Sequence, residues 1–235
     1  MPTVTLPQLR LLGQFRLESA AGPVDLCGNA QRLLAFVGLR GRVGRSVLAG
    51  TLWPDVTEEH ARGSLRTTLW KLPHGERPLV RCSGESVALT DALRVDAHAL
   101  ADTALGVVRG AAPPPHGPAP PVLLGDGELL PGWDEEWVLL ERERLRQLRL
   151  HALDALADGL TRQGSPALAL EAALASIRIE PLRESAHRAV VAAHLSEGNV
   201  IEAVRHYRAY RQLLRDELGL EPSAQLARMI PAAHR

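Results

Sequence analysis

The residues with the most distinctive chemistry lie between Asp55 and Leu72. At 100° per residue, one face of a helix over this stretch combines three cations with a hydroxyl and an aromatic ring. That face comprises Arg62, Gly63, Arg66, Thr67, Trp70 and Lys71. The positions four residues from Arg66 hold Arg62 and Trp70, so no carboxylate stands at the usual spacing for an ion pair. Unpaired guanidinium groups suit phosphate oxygens and the edges of guanine bases, so this face could bind nucleic acid. The alternative interpretation is an ordinary solvated face of a helical domain.

The same stretch carries the signals that would hold this face in place. Pro54 ends the preceding segment, Asp55 or Thr57 can cap the new helix, and Pro73 follows its last turn. An apolar stripe with the i, i+4, i+7 spacing faces the other way. The stripe comprises Ala61, Leu65, Thr68, Leu69 and Leu72. We therefore expect aliphatic packing behind the helix and solvent in front of the cations.

Length and charge indicate two modules. At 235 residues and 46% apolar content, the chain can form one or two domains with a sizeable core. The net charge is zero, but residues 1–95 hold 12 Lys and Arg against 8 Asp and Glu, whereas the remainder holds 15 against 19. This asymmetry predicts a basic N-terminal module for a polyanion and an acidic C-terminal module for another partner.

Cysteine usage and hydropathy predict a cytoplasmic protein. Cys27 and Cys82 lie 55 residues apart, which is typical of reduced thiols and not of a disulfide framework or a zinc site. The N-terminus has no charged segment followed by an apolar one, and no apolar run reaches 18 residues. We expect a chain that is neither exported nor inserted in a membrane.

Catalytic motifs are missing from the sequence. It contains no P-loop, no G-x-S-x-G, no dinucleotide fingerprint and no H-E-x-x-H. His187 and His194 are seven residues apart and can share a helix face, but no cysteine or carboxylate completes a metal set. We therefore expect no enzymatic activity, no metal and no cofactor, and we interpret these histidines as packing or surface residues.

The order of elements in residues 1–95 predicts a winged helix-turn-helix. Leu9–Gly13, Phe15–Ser19 and Val24–Leu26 indicate a small antiparallel sheet, and three helices follow, the first capped by Asn29. Two apolar runs around Ser83–Ser86 then indicate a hairpin, with Gly84 available for positive φ. In this architecture the third helix enters the major groove, and Arg81 on the hairpin either contacts phosphate or is a solvated strand residue.

Residues 96–235 predict stacked helices. A helix capped by Asp96 precedes a Pro-rich loop at 110–121, and a long helix is indicated from Trp133 to Leu160. Its predicted solvent face carries local ion pairs among Glu141, Arg142, Glu143, Arg144, Arg146 and Arg149. Gln163-Gly164-Ser165 and Glu197-Gly198-Asn199 are offset by 34 residues, which is the tetratricopeptide period. The predicted fold class is thus mainly α with a small β component, a winged helix followed by a tetratricopeptide-like domain.

Motifs in both halves resemble one family. The third helix contains H-A-R-x-x-L-R-x-x-L-W-K-L, and the second half contains L-R-Q-L-R at 145–149, E-P-L-R-E at 180–184, A-V-x-x-Y at 203–207 and E-L-G-L-E-P at 217–222. Over residues 9–230 the chain resembles the Streptomyces antibiotic regulatory proteins, in which an OmpR-type winged helix precedes a bacterial transcriptional activator domain. The resemblance implies an activator of secondary-metabolite (antibiotic) gene clusters that binds direct repeats in double-stranded DNA as side-by-side protomers. It also implies recruitment of RNA polymerase holoenzyme.

The resemblance also implies roles for individual residues. It places Arg62, Arg66, Thr67, Trp70 and Lys71 at the DNA. Arg66 is the expected bidentate donor to guanine, and Arg62 and Lys71 are expected on phosphates. Trp70 is expected either on a sugar or thymine methyl or buried against the wing, and we favour the second. The nucleotide-binding module of larger relatives is missing, so no ATP-driven control is expected.

One other function fits the same sequence features. A protein-interaction adaptor would keep the helical repeats for a partner while its winged helix no longer binds DNA. An activator should bind duplex DNA with a steep dependence on salt, whereas an adaptor should show no saturable binding.

Overall fold

The computed structural model describes residues 6–19, 22–73, 78–110, 120–125 and 127–231. The chain divides into two compact units. Unit 1 comprises Met1–Ala99 and Gly127–Arg142, and unit 2 comprises Leu100–Asp126 and Glu143–Arg235. The described part is mainly helical with two small sheets, which confirms the predicted fold class. The domain boundary at residues 95/96 stays a prediction, and most of the Pro-rich loop expected at 110–121 lies outside the described residues.

The elements follow one another in this order: β1 (Gln8–Arg10), β2 (Arg16–Ser19), β3 (Gly22–Val24), α1 (Gly28–Arg40), β4 (Val43–Gly44), α2 (Arg45–Leu52), α3 (Glu58–Lys71), β5 (Val80–Ser83), β6 (Ser86–Leu89), β7 (Arg94–Val95), α4 (Asp96–Val108), α5 (Pro121–Leu124), α6 (Glu136–Arg162), α7 (Pro166–Ile179), α8 (Glu184–Ser196), α9 (Val200–Leu218) and α10 (Ala224–Met229).

The first sheet of unit 1 has the strand order β3-β2-β1-β7. The first three strands pair antiparallel, as predicted, and Leu9 lies opposite Leu17 with both side chains buried. β7 joins parallel to β1, and this strand of two residues was not predicted. The Asp96 carboxylate, directly after β7, adds contacts to the residues that follow β1. It accepts hydrogen bonds from the backbone N–H groups of Leu11 and Leu12, and also from that of Ala97. Burial raises the pKa of Asp96, while these hydrogen bonds act in the opposite direction.

Three helices and a second sheet complete the winged helix-turn-helix of unit 1. α1 packs closely on β1 because Gly38 has no side chain: a Cβ there would lie 3.1 Å from Cδ2 of Leu9. α1 begins at Gly28 after Cys27, so the prediction of Asn29 as its cap was wrong. The second sheet has the order β4-β6-β5, and the β5–β6 hairpin is the predicted wing. Gly84 takes φ +56° at the first position of its two-residue turn, where a type II′ turn requires positive φ.

Residues 127–142 also belong to unit 1. Leu12 and Leu129 form an isolated antiparallel bridge, and the rings of Phe36 and Trp137 meet edge to face at 5.0 Å. α6 begins at Glu136, three residues later than the predicted start at Trp133. The prediction of a solvated charged face was wrong at Arg142, whose guanidinium donates to the carbonyl oxygens of Leu129, Leu130 and Trp133.

Unit 2 contains the predicted pairs of helices. α7 ends before Pro181, α9 begins after Gly198 at φ +77°, and α10 follows the Ser223 cap, whose Oγ accepts from the N–H of Leu226. α8, α9 and α10 enclose one apolar cluster. Its buried members are Val191, Ala203, Val204, Tyr207, Tyr210, Leu214, Leu226 and Ile230. This packing of successive hairpins is what a tetratricopeptide-like repeat requires.

Two charged residues of α6 within unit 2 lie in its interior. Arg149 is buried and donates from Nε to the carbonyl oxygen of Leu123, so the predicted solvent exposure of this residue was wrong. Asp154 accepts a two-pronged hydrogen bond from Arg183 and further hydrogen bonds from Ser176 and Ser185. These contacts join α6, α7 and the start of α8.

Candidate nucleic-acid interface

α3 is fixed by its cap and by one apolar side. Thr57 is the cap residue, and its Oγ1 accepts from the N–H of His60 at 3.5 Å. Glu58 and Glu59 occupy the first turn, where carboxylates stabilise the positive end of the helix dipole. The predicted apolar stripe is confirmed, since Ala61, Leu65, Thr68 and Leu72 are buried and Leu69 is half-buried.

The opposite face of α3 lies open to solvent. Of its six predicted residues, five are exposed and Gly63 is half-buried. Trp70 is 75% exposed, so the prediction that it buries against the wing was wrong. The indole instead borders an open groove of about 330 Å³ between the end of α3 and strand β5 of the wing. A large aromatic side chain in solvent is free to pack against a partner.

The cations of this face differ in what they contact. No described residue pairs with Arg66 or Lys71. Arg62, by contrast, forms an ion pair of 2.7 Å with Glu58 and donates to Oγ of Ser46. The prediction of unpaired guanidinium groups therefore holds at Arg66 and was wrong at Arg62, because Glu58 precedes Arg62 by four residues. An exposed ion pair of this kind contributes at most about 1 kcal/mol, so a phosphate can replace the carboxylate.

Two further arginines lie along the wing. Arg81 on β5 is exposed and forms an ion pair of 3.2 Å with the exposed Asp91. Arg45, for which no role was predicted, donates from Nε to the carbonyl oxygen of Gly84 in the wing turn. Arg45 and Arg66 line the same groove as Trp70. The position of Arg45 at the start of α2, the helix before α3, was the sequence signal that could have identified this residue.

Arg66 borders a second groove on its other side. This groove, about 590 Å³ in volume, runs between α3 and the start of α1 and is lined in part by Cys27, Asn29, Thr67 and Lys71. The free guanidinium of Arg66 thus projects between two open depressions on the surface of unit 1. A surface with this composition can donate hydrogen bonds to phosphate oxygens and to base edges.

The described residues contain neither a metal-type cluster nor a helix of the membrane-spanning kind. Among them, no cluster of three or more His, Cys, Asp or Glu side chains has a geometry that could hold a metal ion. None of the described helices combines the length and the apolarity that crossing a bilayer demands.

Comparison with known proteins identifies the family. Residues 88–232 match the model of the bacterial transcriptional activator domain. The chain is 27% identical over 213 residues to regulatory protein AfsR of Streptomyces griseus, covering 86% of this chain and 22% of AfsR. AfsR of Streptomyces coelicolor is 35% identical over 99 residues, which are 42% of this chain and 10% of that protein. The chain therefore spans about a fifth or less of these relatives.

A solved structure supports the fold. EmbR of Mycobacterium tuberculosis, solved in complex with a low-affinity phosphopeptide, superposes with a TM-score of 0.70 at 18% identity. The superposition covers 95% of this chain and 64% of EmbR. With a family model that matches most of its length, the chain belongs to the bacterial transcriptional activator domain family.

Proposed function

We propose that the chain is a sequence-specific DNA-binding activator whose helix α3 enters the major groove. The proposal rests on the state of Arg66. Its guanidinium is exposed and has no partner in the described part of the chain, and buried aliphatic residues on the opposite side of α3 hold the helix in place. A guanidinium held in this way can donate two hydrogen bonds to O6 and N7 of guanine.

The neighbouring residues take supporting roles in this proposal. Arg62 exchanges Glu58 for a phosphate, and Lys71 contacts a second phosphate as a point charge. Gly63 leaves room for the sugar–phosphate backbone, since no described atom lies within 4 Å of a Cβ built there. Thr67 and Trp70 contact base edges, sugar or a thymine methyl. Arg81, together with Arg45, contacts the backbone beside the wing.

Partners and biological setting follow from the family and are part of the proposal. We infer that two protomers bind direct repeats side by side on double-stranded DNA and that the protein recruits RNA polymerase holoenzyme to an adjacent promoter. The relatives named AfsR are regulatory proteins of Streptomyces, and the family resemblance of the sequence implies a role in a secondary-metabolite gene cluster. Residues 1–95 supply the DNA-binding module and residues 96–235 the activator module. Such a regulator acts in the cytoplasm and catalyses no reaction.

A binding experiment tests the proposal. The full chain selects duplexes from a random pool, and the affinity for an enriched duplex is then measured by fluorescence anisotropy at several salt concentrations. We expect saturable binding with a slope of log K against log salt of roughly −4 to −6, because several phosphates are neutralised. Arg66→Ala should weaken this binding. Arg208→Ala is the matched control, since it removes an exposed arginine of unit 2 that has no partner among the described residues.

Two results would contradict the proposal. If no duplex is enriched and no saturable binding occurs at moderate salt, the chain is an adaptor and not a DNA-binding activator. If the two arginine variants lose the same affinity, binding is a non-specific effect of charge and does not involve the face of α3.

The arrangement of protomers has its own test. Half-sites on one face of DNA lie about one helical turn or a multiple apart. Insertion of about half a turn between the two half-sites of an enriched duplex should abolish joint binding, whereas insertion of a full turn should preserve most of it. Equal binding to all three duplexes would mean that the protomers bind independently.

A further inference from the structure

Unit 1 contains an open cleft that the DNA-binding proposal does not use. Its volume is about 770 Å³, and it lies between α1, α2 and the first turn of α6. Phe36, Val43 and Trp137 line it with buried side chains. Val47 and Leu140 also line it and remain 57% and 62% exposed. The apolar surface that the cleft offers to solvent is therefore mainly that of Val47 and Leu140.

Uncompensated positive charge lies along one part of this cleft. Arg40 and Arg42 line it, both are exposed, and neither has a partner among the described residues. Arg32 also lines it but is neutralised by an ion pair of 2.7 Å with Glu135. The free guanidinium groups come from the end of α1 and the turn after it, whereas the exposed Glu136 comes from α6. The charge distribution thus favours an anion near α1.

We propose that this cleft binds a small organic anion. The apolar body of the ligand lies mainly on Val47 and Leu140, and its carboxylate or phosphate contacts Arg40 and Arg42. The volume is that of a small-molecule site. Guanidinium groups bind carboxylates and phosphates with two hydrogen bonds. This site goes beyond the proposed DNA binding and does not depend on it.

Gly50 allows the cleft to be filled without disturbing the fold. It lies within α2 and lines the cleft, its φ is not positive, and no described atom lies within 4 Å of a Cβ built there. A leucine at this position therefore occupies ligand space and also suits a helix better than glycine. Gly159 in α6 of unit 2 is the matched control, because it is helical with the same open surroundings.

The test uses naphthoate and its neutral amide as probes, with the full chain in a calorimeter. We expect saturable binding of naphthoate, binding of the amide that is at least tenfold weaker, and a loss of at least tenfold for naphthoate in the double variant Arg40→Gln, Arg42→Gln. Gly50→Leu should abolish binding, and Gly159→Leu should leave it unchanged. Circular dichroism and thermal unfolding of each variant establish that it folds.

The remaining outcomes overturn the proposal. Equal binding of naphthoate and its amide means that the arginines contact no anion. Binding that survives Gly50→Leu means that the probe lies elsewhere. If naphthoate does not bind to the folded chain but an acidic amphipathic peptide does, and Gly50→Leu removes the peptide, the cleft is a docking surface for a protein.

Discussion

Arg62 and Glu58 form an ion pair of 2.7 Å along the exposed face of α3. Arg66, one turn further along, has no partner in the described part of the chain. Arg62 must therefore exchange a carboxylate for a phosphate when it contacts DNA, whereas Arg66 can contact DNA without losing a partner. This difference gives the DNA-binding proposal a test that does not remove a cation.

Glu58→Gln should strengthen DNA binding. The substitution frees Arg62 and removes a negative charge from the proposed interface, so we expect the affinity for an enriched duplex to rise about two- to fivefold at low salt. Anisotropy titrations measure the effect. The matched control is Glu202→Gln, which frees Arg205 from a similar exposed pair of 2.7 Å on α9 of unit 2. A gain of equal size in both variants would mean that total charge, and not Arg62, sets the affinity.

Trp70→Ala should weaken DNA binding and leave the stability of the fold almost unchanged. Because the indole is 75% exposed, its removal should change the free energy of unfolding by less than about 0.5 kcal/mol. If the ring packs on DNA, the affinity should fall by about 1–2 kcal/mol, and Trp70→Phe should restore part of the loss. Chemical denaturation and duplex titrations are compared for each variant. A large loss of stability together with unchanged affinity would show that Trp70 has a structural role.

Asp154→Ala should destabilise unit 2 by about 2–3 kcal/mol. The carboxylate is 19% exposed, and it holds Arg183, Ser176 and Ser185 across three helices. Its loss leaves the half-buried guanidinium of Arg183 without its charged partner. The measurement is the free energy of unfolding in urea. Asp158→Ala removes an exposed carboxylate one turn further along α6 and should change stability little. Similar losses for both variants would contradict the role of the network.

Stability should fall in acid because of a histidine pair between α8 and α9. His187 Nε2 contacts the carbonyl oxygen of Pro181 and must donate to it, so neutral His187 accepts at Nδ1 from Nε2 of His206 at 3.0 Å. His187 also stacks on Tyr210. Burial lowers the pKa of His187, and burial followed by repulsion from His187 and His194 lowers the pKa of His206 to about 4. Folding therefore favours the neutral imidazoles.

The lowered pKa values set the pH range of this effect. The contribution of His206 is fully present above its ordinary value of 6.5 and is lost as the pH falls from there to about 4, because the unfolded chain binds protons first. With allowance for partial exposure, we expect a loss of about 1–2 kcal/mol, measured by urea unfolding at several pH values. His206→Gln should reduce this slope, and replacement of the exposed His98 by Gln should retain it. An unchanged slope in His206→Gln would exclude the pair as its cause.

Local patterns predicted most of the described helices but not α5, and the long-range contacts were not predictable from them. Gly164, Gly198, Pro166 and Pro181 mark helix ends by their backbone preferences alone, and the observed ends lie beside them. Each residue of β7 pairs with a residue of β1 that lies 86 positions earlier in the chain. A strand of only two residues carries no periodic signal in the sequence. Nothing near Arg142 in sequence indicates that it holds the carbonyl of Leu130, whose φ of +44° is unusual for a leucine.

In the candidate interface, too, local features were predictable from the sequence and long-range contacts were not. The exposure of Arg66 and the burial of Leu65 followed from helical periodicity. The ion pair of Arg62 with Glu58 was also local, and its spacing predicts it once the helix is known to begin at Glu58. The contact of Arg45 with the wing turn depends on how α2 packs beside the hairpin, 39 residues further along the chain. Only the tertiary structure brings these two elements together.

The central claim is tested most directly by base preference in the variant Arg66→Ala. Duplexes in which each position of the enriched site is substituted in turn are titrated with the wild-type chain, with Arg66→Ala and with Lys71→Ala. The account predicts that Arg66→Ala loses about 1–3 kcal/mol at one guanine and no longer distinguishes bases there, whereas Lys71→Ala weakens every duplex alike and lowers the salt slope by about 1. Equal losses on all duplexes in Arg66→Ala would contradict the claim that this guanidinium recognises a base.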